Sequence, residues 1–403
     1  MPVPVPSDLR PVHERLPTEP LLLMGAGPTP LPRAVAAANA VIINHLGPTM
    51  NRVVEAVQEM ARYAFQTRSE RVLGIAGPAS AGMEMALGNL VGNGSRVLSL
   101  VTGTFSGRLA EMARGVGASV DTVTTELGEP ATLEALDAAL ASGRYDLVTM
   151  VQGETSTGIY HPHIEAVSQR VRAHGALMMV DAVCTLTTVP LQMDDWGIDV
   201  VATGGQKGLA SIPGVSLIAF SDRAWNVVEQ RPRPIPHWCL DARRAWEFWG
   251  EHKYHYTAPV PGILAIHEAL RLICEETLPV RLERHERCTK ALQSAIVALG
   301  LELFAPEAWR LGSVLAIRRP ASVDSVELRR RMVESHGVEI AGAFGLDIFR
   351  IGQMGEQCRA ETLFRTVHAL GESLRAVGFD ADVPAAMAAL ATGLAASEGR
   401  LEQ

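Results

Sequence analysis

Lys207 stands in GGQKGLASIPG, residues 204–214, at the end of the run DVVAT (199–203). A lysine is by default a solvated surface residue. Here Gly204, Gly205 and Gly208 crowd it and Pro213-Gly214 follows, a small-residue surround that lets backbone approach a ligand closely. Taken out of water, an ammonium loses proton affinity, and the neutral amine becomes a nucleophile able to form a Schiff base. Asp181 carries the complementary charge. It follows ALMMV (176–180), so its carboxylate falls at the edge of an apolar run, where a buried anion needs a cationic partner. Arg350, inside IFRIG (348–352), is a cation in an apolar strand and calls for a carboxylate from the protein or from a substrate.

A protonated pyridine nitrogen would serve Asp181, and a lysine and an aspartate on neighbouring strand ends are the mark of a pyridoxal phosphate site. The small-residue stretch 74–82 (GIAGPASAG) reads as a turn opening a helix, whose bare amides bind phosphate, although a purely structural turn is equally consistent with it. It lacks the GK[ST] ending of a P-loop and the GxGxxG of a dinucleotide fold, which disfavours nucleotides. Phe105 at a strand mouth is either core or a ring stacked on a flat ligand. His252 and His255 have no partnering Cys or Glu pattern, so no metal site is expected. The segment ERHERC (283–288) reads as a solvated helical face.

Strand candidates that could position these groups are 96–101 (RVLSLV), 147–151 (LVTMV), 176–180, 200–203 and 215–220 (VSLIAF), with amphipathic segments such as 108–115 and 164–174 between them. Strands alternating with helices predict an α/β fold with a mostly parallel sheet, whose ligands bind at the carboxyl ends of the strands. Beyond about residue 280 a charged helix, short strands near 313–318 and 347–351 and a closing helix near 360–377 describe a smaller α+β domain. The expected division is an arm at 1–24, a large cofactor-binding domain at 25–280 and a small domain with a helical tail at 281–403. Val383, Met387, Leu390 and Leu394 place that tail against the body.

The 403 residues, 47% hydrophobic and 20% charged, describe a well-packed globule, and a net charge of −8 argues against nucleic-acid binding. No apolar stretch approaches the ~20 residues of a membrane span. Five scattered cysteines suit reduced thiols in the cytoplasm. The six prolines of the first twenty residues read as an extended arm of the kind that lies across a partner subunit.

With these residues in place, the chain resembles the class V aminotransferases of pyridoxal-phosphate fold type I, and among them the alanine–glyoxylate and serine–glyoxylate (or pyruvate) enzymes. The likeness runs from about 21 to 378 and is carried by YAFQT (63–67), QGETSTG (152–158), VDAV (180–183), GGQKGL (204–209), FWG (248–250), YHYT (254–257) and FRIGQMG (349–355). It implies a seven-stranded-type sheet, a ping-pong transfer between small amino acids and 2-oxo acids, and a homodimer with shared active sites. Lys207 becomes the Schiff-base lysine and Asp181 the pyridine partner. Phe105 would stack on the ring, Thr155 bond its hydroxyl, and Ala79, Ser80 and Gln206 hold the phosphate, with Tyr254 and Thr257 reaching it from the second subunit. Arg350 would grip the substrate carboxylate, beside Gly27 and His45. The family's GPGP appears here as GAGP (25–28), its SGT or SGH as PAS (78–80), and its GHxDPEF as NHLGPTM (44–50), which leaves the amino donor open. The ureidoglycine–glyoxylate aminotransferases, which typically carry Asn in place of Tyr254 and Gln in place of His45, are the second reading. A lyase or a desulfurase of the same fold is a more distant one, with Cys358 the nearest candidate for a catalytic thiol.

Overall fold

A computed structural model describes residues 3–343 and 345–395; Met1, Pro2, Phe344 and 396–403, which fall within the expected arm and small domain, lie outside the described residues. Seven strands make the central sheet: β1 (Val72–Ala76), β2 (Arg96–Val101), β3 (Ser119–Thr124), β4 (Leu147–Val151), β5 (Leu177–Asp181), β6 (Val200–Gly204) and β7 (Val215–Phe220). Their order is β1-β7-β6-β5-β4-β2-β3. Only β7 runs against its neighbours, so the other strands release their carboxyl ends along one edge. Strands β4 to β7 are buried along their whole length, which is why they read as unbroken apolar runs.

Within the sheet the structure departs from the sequence reading at β1 and β3. Residues 74–76 belong to β1 and not to a turn, because the bare backbone of Gly74 takes the Trp249 ring against it. The strand β3 went unread because it is an edge strand with alternating exposure and the polar sequence SVDTVT.

Helices α1 (Pro48–Phe65), α2 (Ala79–Leu90) and α3 (Thr104–Gly115) cover the sheet and share its core with side chains such as Phe65, Met85, Leu109 and Phe220. Helix α4 (Val260–Glu276) leads into α5 (Leu278–Ala298), which opens a second core. That core holds α5, the antiparallel pair β8 (Val314–Arg318) and β9 (Ile348–Gly352), and helices α6 (Ala360–Ala376) and α7 (Val383–Ala395). The tail helix α7 buries Val383 and Leu390, as its spacing predicts. The expected solvated face of α5 is a correction: Arg281, Arg284 and His285 are buried, and Glu276 supplies the charge that makes this tolerable.

Candidate active site

Parallel pairing brings distant residues together. Asp181 ends β5 in register with Ala202 of β6, and Val151 of β4 lies in register with Asp181 on its other side. The turn after β6 therefore places Gln206 and Lys207 beside Asp181. A cavity of about 580 Å³, counting its open mouth, lies over these strand ends. Ala79, Ser80, Phe105, Thr155, Asp181, Gln206 and Lys207 all line it.

The Lys207 amine donates to the carbonyl of Ala26. Gly27, at φ +101°, passes so close that a Cβ there would stand 2.8 Å from Nζ, so the amino-terminal loop forms one wall of the lysine's channel. Burial lowers the proton affinity of Lys207, and nearby Arg350 lowers it further, while Cys184 and Asp181 act the other way. Asp181 is 5% exposed, and burial pushes its carboxyl up to about 7 against a hydrogen bond of 2.8 Å from the Val183 amide. A carboxylate so placed gains from any cation set opposite it.

Arg350 is 6% exposed on β9. Its Nε donates to Gly342 O at 2.7 Å and its Nη1 to Thr155 O at 2.8 Å, which orients the guanidinium. Arg350 and Gly27 line a second cleft that shares the Ala26–Gly27 wall with Lys207. His45, Tyr254 and Thr257 are not brought to the cavity. The His45 and Tyr254 rings meet edge-on at 5.8 Å, Tyr254 is 59% exposed, and Thr257 is exposed.

Sequence reasoning missed two residues. Glu154, fully buried, accepts from Phe105 N (3.0 Å), Ser106 N (2.9 Å) and Ser106 Oγ (3.0 Å) on one oxygen, and from Ser156 N (3.1 Å) and Ser156 Oγ (2.6 Å) on the other. It caps α3 from another loop, because the N-cap is Gly103 and has no side chain of its own. It thereby fixes Phe105 relative to Thr155. The signal was a glutamate amid the small and hydroxyl residues of QGETSTG. Arg108, one turn into α3, lines the cavity with its guanidinium 5.1 Å from the Phe105 ring centroid.

These residues fit pyridoxal phosphate. The buried Oε1 of Gln206 has no hydrogen-bond partner and lies by the start of α2, where Ala79 opens the helix after Pro78. Turning that amide over presents Nε2, a donor for a phosphate oxygen, beside the Ala79 and Ser80 amides that open the helix. Phe105 supplies a ring face, Asp181 an anion and Lys207 an amine.

The family model described as Aminotransferase class-V matches residues 23–345. The alanine–glyoxylate aminotransferase of Oryctolagus cuniculus is 33% identical, over 88% of this chain and 92% of that protein. The crystal structure of ureidoglycine–glyoxylate aminotransferase from Bacillus subtilis superposes with a TM-score of 0.90 at 30% identity, covering 94% of this chain and 99% of that one. That of an alanine–glyoxylate aminotransferase from Nostoc sp. gives 0.86 at 34% identity, covering 91% and 100%.

Proposed function

The chain belongs to the class V aminotransferases of pyridoxal-phosphate fold type I, and on that premise we propose that it moves an amino group from alanine or serine to glyoxylate or pyruvate, in a ping-pong sequence at one site. It is a pyridoxal-phosphate-dependent transaminase. The observation that carries the substrate reading is that the Ala26–Gly27 segment touches Lys207 and also lines the cleft of Arg350, so amine and guanidinium meet one stretch of backbone.

When bound, pyridoxal phosphate supplies an aldehyde that captures the donor amine and a pyridine ring that accepts the electron pair of the substrate α-carbon. The protein does the rest. Lys207, its proton affinity lowered by burial, offers a neutral amine as nucleophile and then takes the proton from the α-carbon. Asp181 would hold a proton at the pyridine nitrogen. Phe105, fixed through Glu154, would offer its ring to the cofactor's ring, and Thr155 would meet the ring hydroxyl. Ala79, Ser80 and Gln206 would hold the phosphate. Arg350 orients the substrate by its carboxylate, with Gly27 lying against Lys207 and lining the cleft of Arg350.

Tyr254 and Thr257 act in this reading across a homodimer, and His45, whose ring meets that of Tyr254, lies with them. The exposure of Tyr254, Ile42 (79%) and Trp238 (56%), and of Val3, Val5, Leu9 and Val12 on the arm, supports an interface there. Sedimentation of the holoprotein should give a dimer; a monomer with full activity would remove the shared site. A division near residue 280 is supported by the two main cores, while Leu22–Leu23 pair with Val338–Glu339 and Met24 lies in the second core, so the end of the expected arm packs with the small domain. A cytoplasmic location is supported by five free thiols, and no described helix is long and apolar enough to cross a membrane.

The test is a set of half-reactions followed by the cofactor's absorption, with alanine, serine and (S)-ureidoglycine as donors and glyoxylate and pyruvate as acceptors. Alanine or serine should convert the spectrum; conversion by ureidoglycine alone would replace the donor assignment. In the same assay Arg350→Lys, which keeps the charge but loses the fork, should raise KM for donor and acceptor by about 1–3 kcal/mol of weakened binding. A carboxylate-free amine should react with wild type and variant alike. Equal slowing of both donors would make Arg350 a structural residue.

A further inference from the structure

Helix α5 carries a charged cluster into the interior. Arg281 is 4% exposed and His285 1%. Both Arg281 and Arg284 pair with Glu276 at the end of α4. The two guanidiniums then reach in different directions. Arg281 donates through Nη2 to Gly208 O at 2.9 Å and through Nε to Thr187 Oγ1 at 3.2 Å, and the Thr187 hydroxyl donates to the same Gly208 oxygen at 2.9 Å. Arg284 donates through Nη1 to Gly355 O at 3.0 Å and to Cys358 O at 2.8 Å. His285 sits between them, accepting from Gly355 N at 3.1 Å on Nε2 and donating from Nδ1 to Arg281 O at 2.7 Å.

The targets are the segments that follow the two functional side chains. Gly208 is the residue after Lys207, and Gly355 follows β9, the strand of Arg350. The segments also touch: a Cβ on Gly355 would stand 2.6 Å from that of Ala210, whose amide donates to Lys207 O at 2.9 Å. Burial opposes a charge on Glu276, yet the two guanidiniums prevail and hold its carboxyl down at about 2.

We propose that Glu276 is a positioning residue: by holding Arg281 and Arg284 on one carboxylate it fixes the spacing between Lys207 and Arg350, and with it the distance from the proton-carrying amine to the substrate α-carbon. This rests on the roles proposed above for Lys207 and Arg350. A misplacement of about 1 Å at a reacting centre is enough to cost roughly 10²-fold in rate.

The experiment compares holoenzymes of wild type, Glu276→Gln, Arg281→Lys and Arg284→Lys by amide hydrogen exchange and by the single-turnover half-reaction with alanine. Glu276→Gln should speed exchange in both segments, around Gly208 and around Gly355, and slow the half-reaction by roughly 10–10²-fold with cofactor still bound. Arg281→Lys should loosen the first segment alone and Arg284→Lys the second alone, because a lysine keeps the charge but cannot span carboxylate and carbonyl together. If Glu276→Gln does not fold, the two lysine variants decide, and each must slow the half-reaction at least about tenfold. Loosening confined to one segment in Glu276→Gln, or folded variants with lower Tm and wild-type half-reaction rates, would overturn the proposal. The exchange pattern needs no turnover, so a wild-type protein inactive with every donor would refute the functional reading while the coupling of the segments is still decided.

Discussion

Lys207→Ala is expected to abolish transamination in a protein that folds and still takes up cofactor. Loss of the general base alone accounts for about 10²–10⁴-fold, and loss of the nucleophile adds to it. The sequence contains three lysines, Lys207, Lys253 and Lys290. Lys253 and Lys290 are exposed and pair with Glu251 at 2.6 Å and Glu286 at 2.5 Å, whereas Lys207 lines the cavity. Borohydride reduction of the holoprotein followed by peptide mapping should therefore place the pyridoxyl group on Lys207; recovery on either other lysine would refute the assignment. Stability should not suffer. The folded-state proton affinity of Lys207 is lowered, so at neutral pH the unfolded chain binds its proton more tightly than the folded one, and that difference opposes folding. Removing the amine removes the opposition, so the cofactor-free variant should melt no lower than wild type.

Asp181→Asn should keep the cofactor bound and slow turnover severely, because an uncharged amide cannot hold a proton on the pyridine nitrogen. Breaking a buried carboxylate–cation pair in this way costs roughly 3–5 kcal/mol, or about 10²–10⁴-fold in rate. Near-normal turnover would leave the aspartate as a structural cap on the Val183 amide. The same variant has a signature without cofactor. Burial raises the carboxyl from 3.8 to about 7, so in the folded chain it keeps a proton that the unfolded chain has already released. The stability linked to this proton is fully present below about pH 4 and disappears as pH rises through about 7. Denaturant unfolding of wild-type apoprotein should lose stability over that window, and Asp181→Asn should remove this component of the slope. Identical pH profiles for the two proteins would show that Asp181 is solvated.

Much of this site was legible because it uses periodicity and strand ends. Runs such as VSLIAF and LVTMV are apolar on nearly every residue only when both faces of a sheet are covered, so β4 to β7 could be read directly. The edge strand β3 could not, since half of its side chains meet water and its composition matches a loop. Arg350 stood out for the same reason in reverse, as a cation in a run that excludes cations. Its partners did not, because the carbonyls of Gly342 and Thr155 have no sequence signature.

The sequence by itself determined the chemical inventory: an amine with bare backbone around it, a carboxylate closing an apolar strand, and a small-residue helix start. Those depend on residue type and near neighbours, which a linear chain displays. Tertiary structure decided what is adjacent. Parallel pairing of β5 and β6 sets Lys207 beside Asp181, and the Gly27 backbone lies against the lysine and lines the cleft of Arg350. It also decided which charges are interior. Glu154 and the Arg281–Glu276–Arg284 cluster sit in segments that read locally as polar, and only the closing of two cores around them turns solvated groups into buried ties. Burial strengthens a charged interaction by removing competing water, and removal of water is a property of the fold rather than of any stretch of chain.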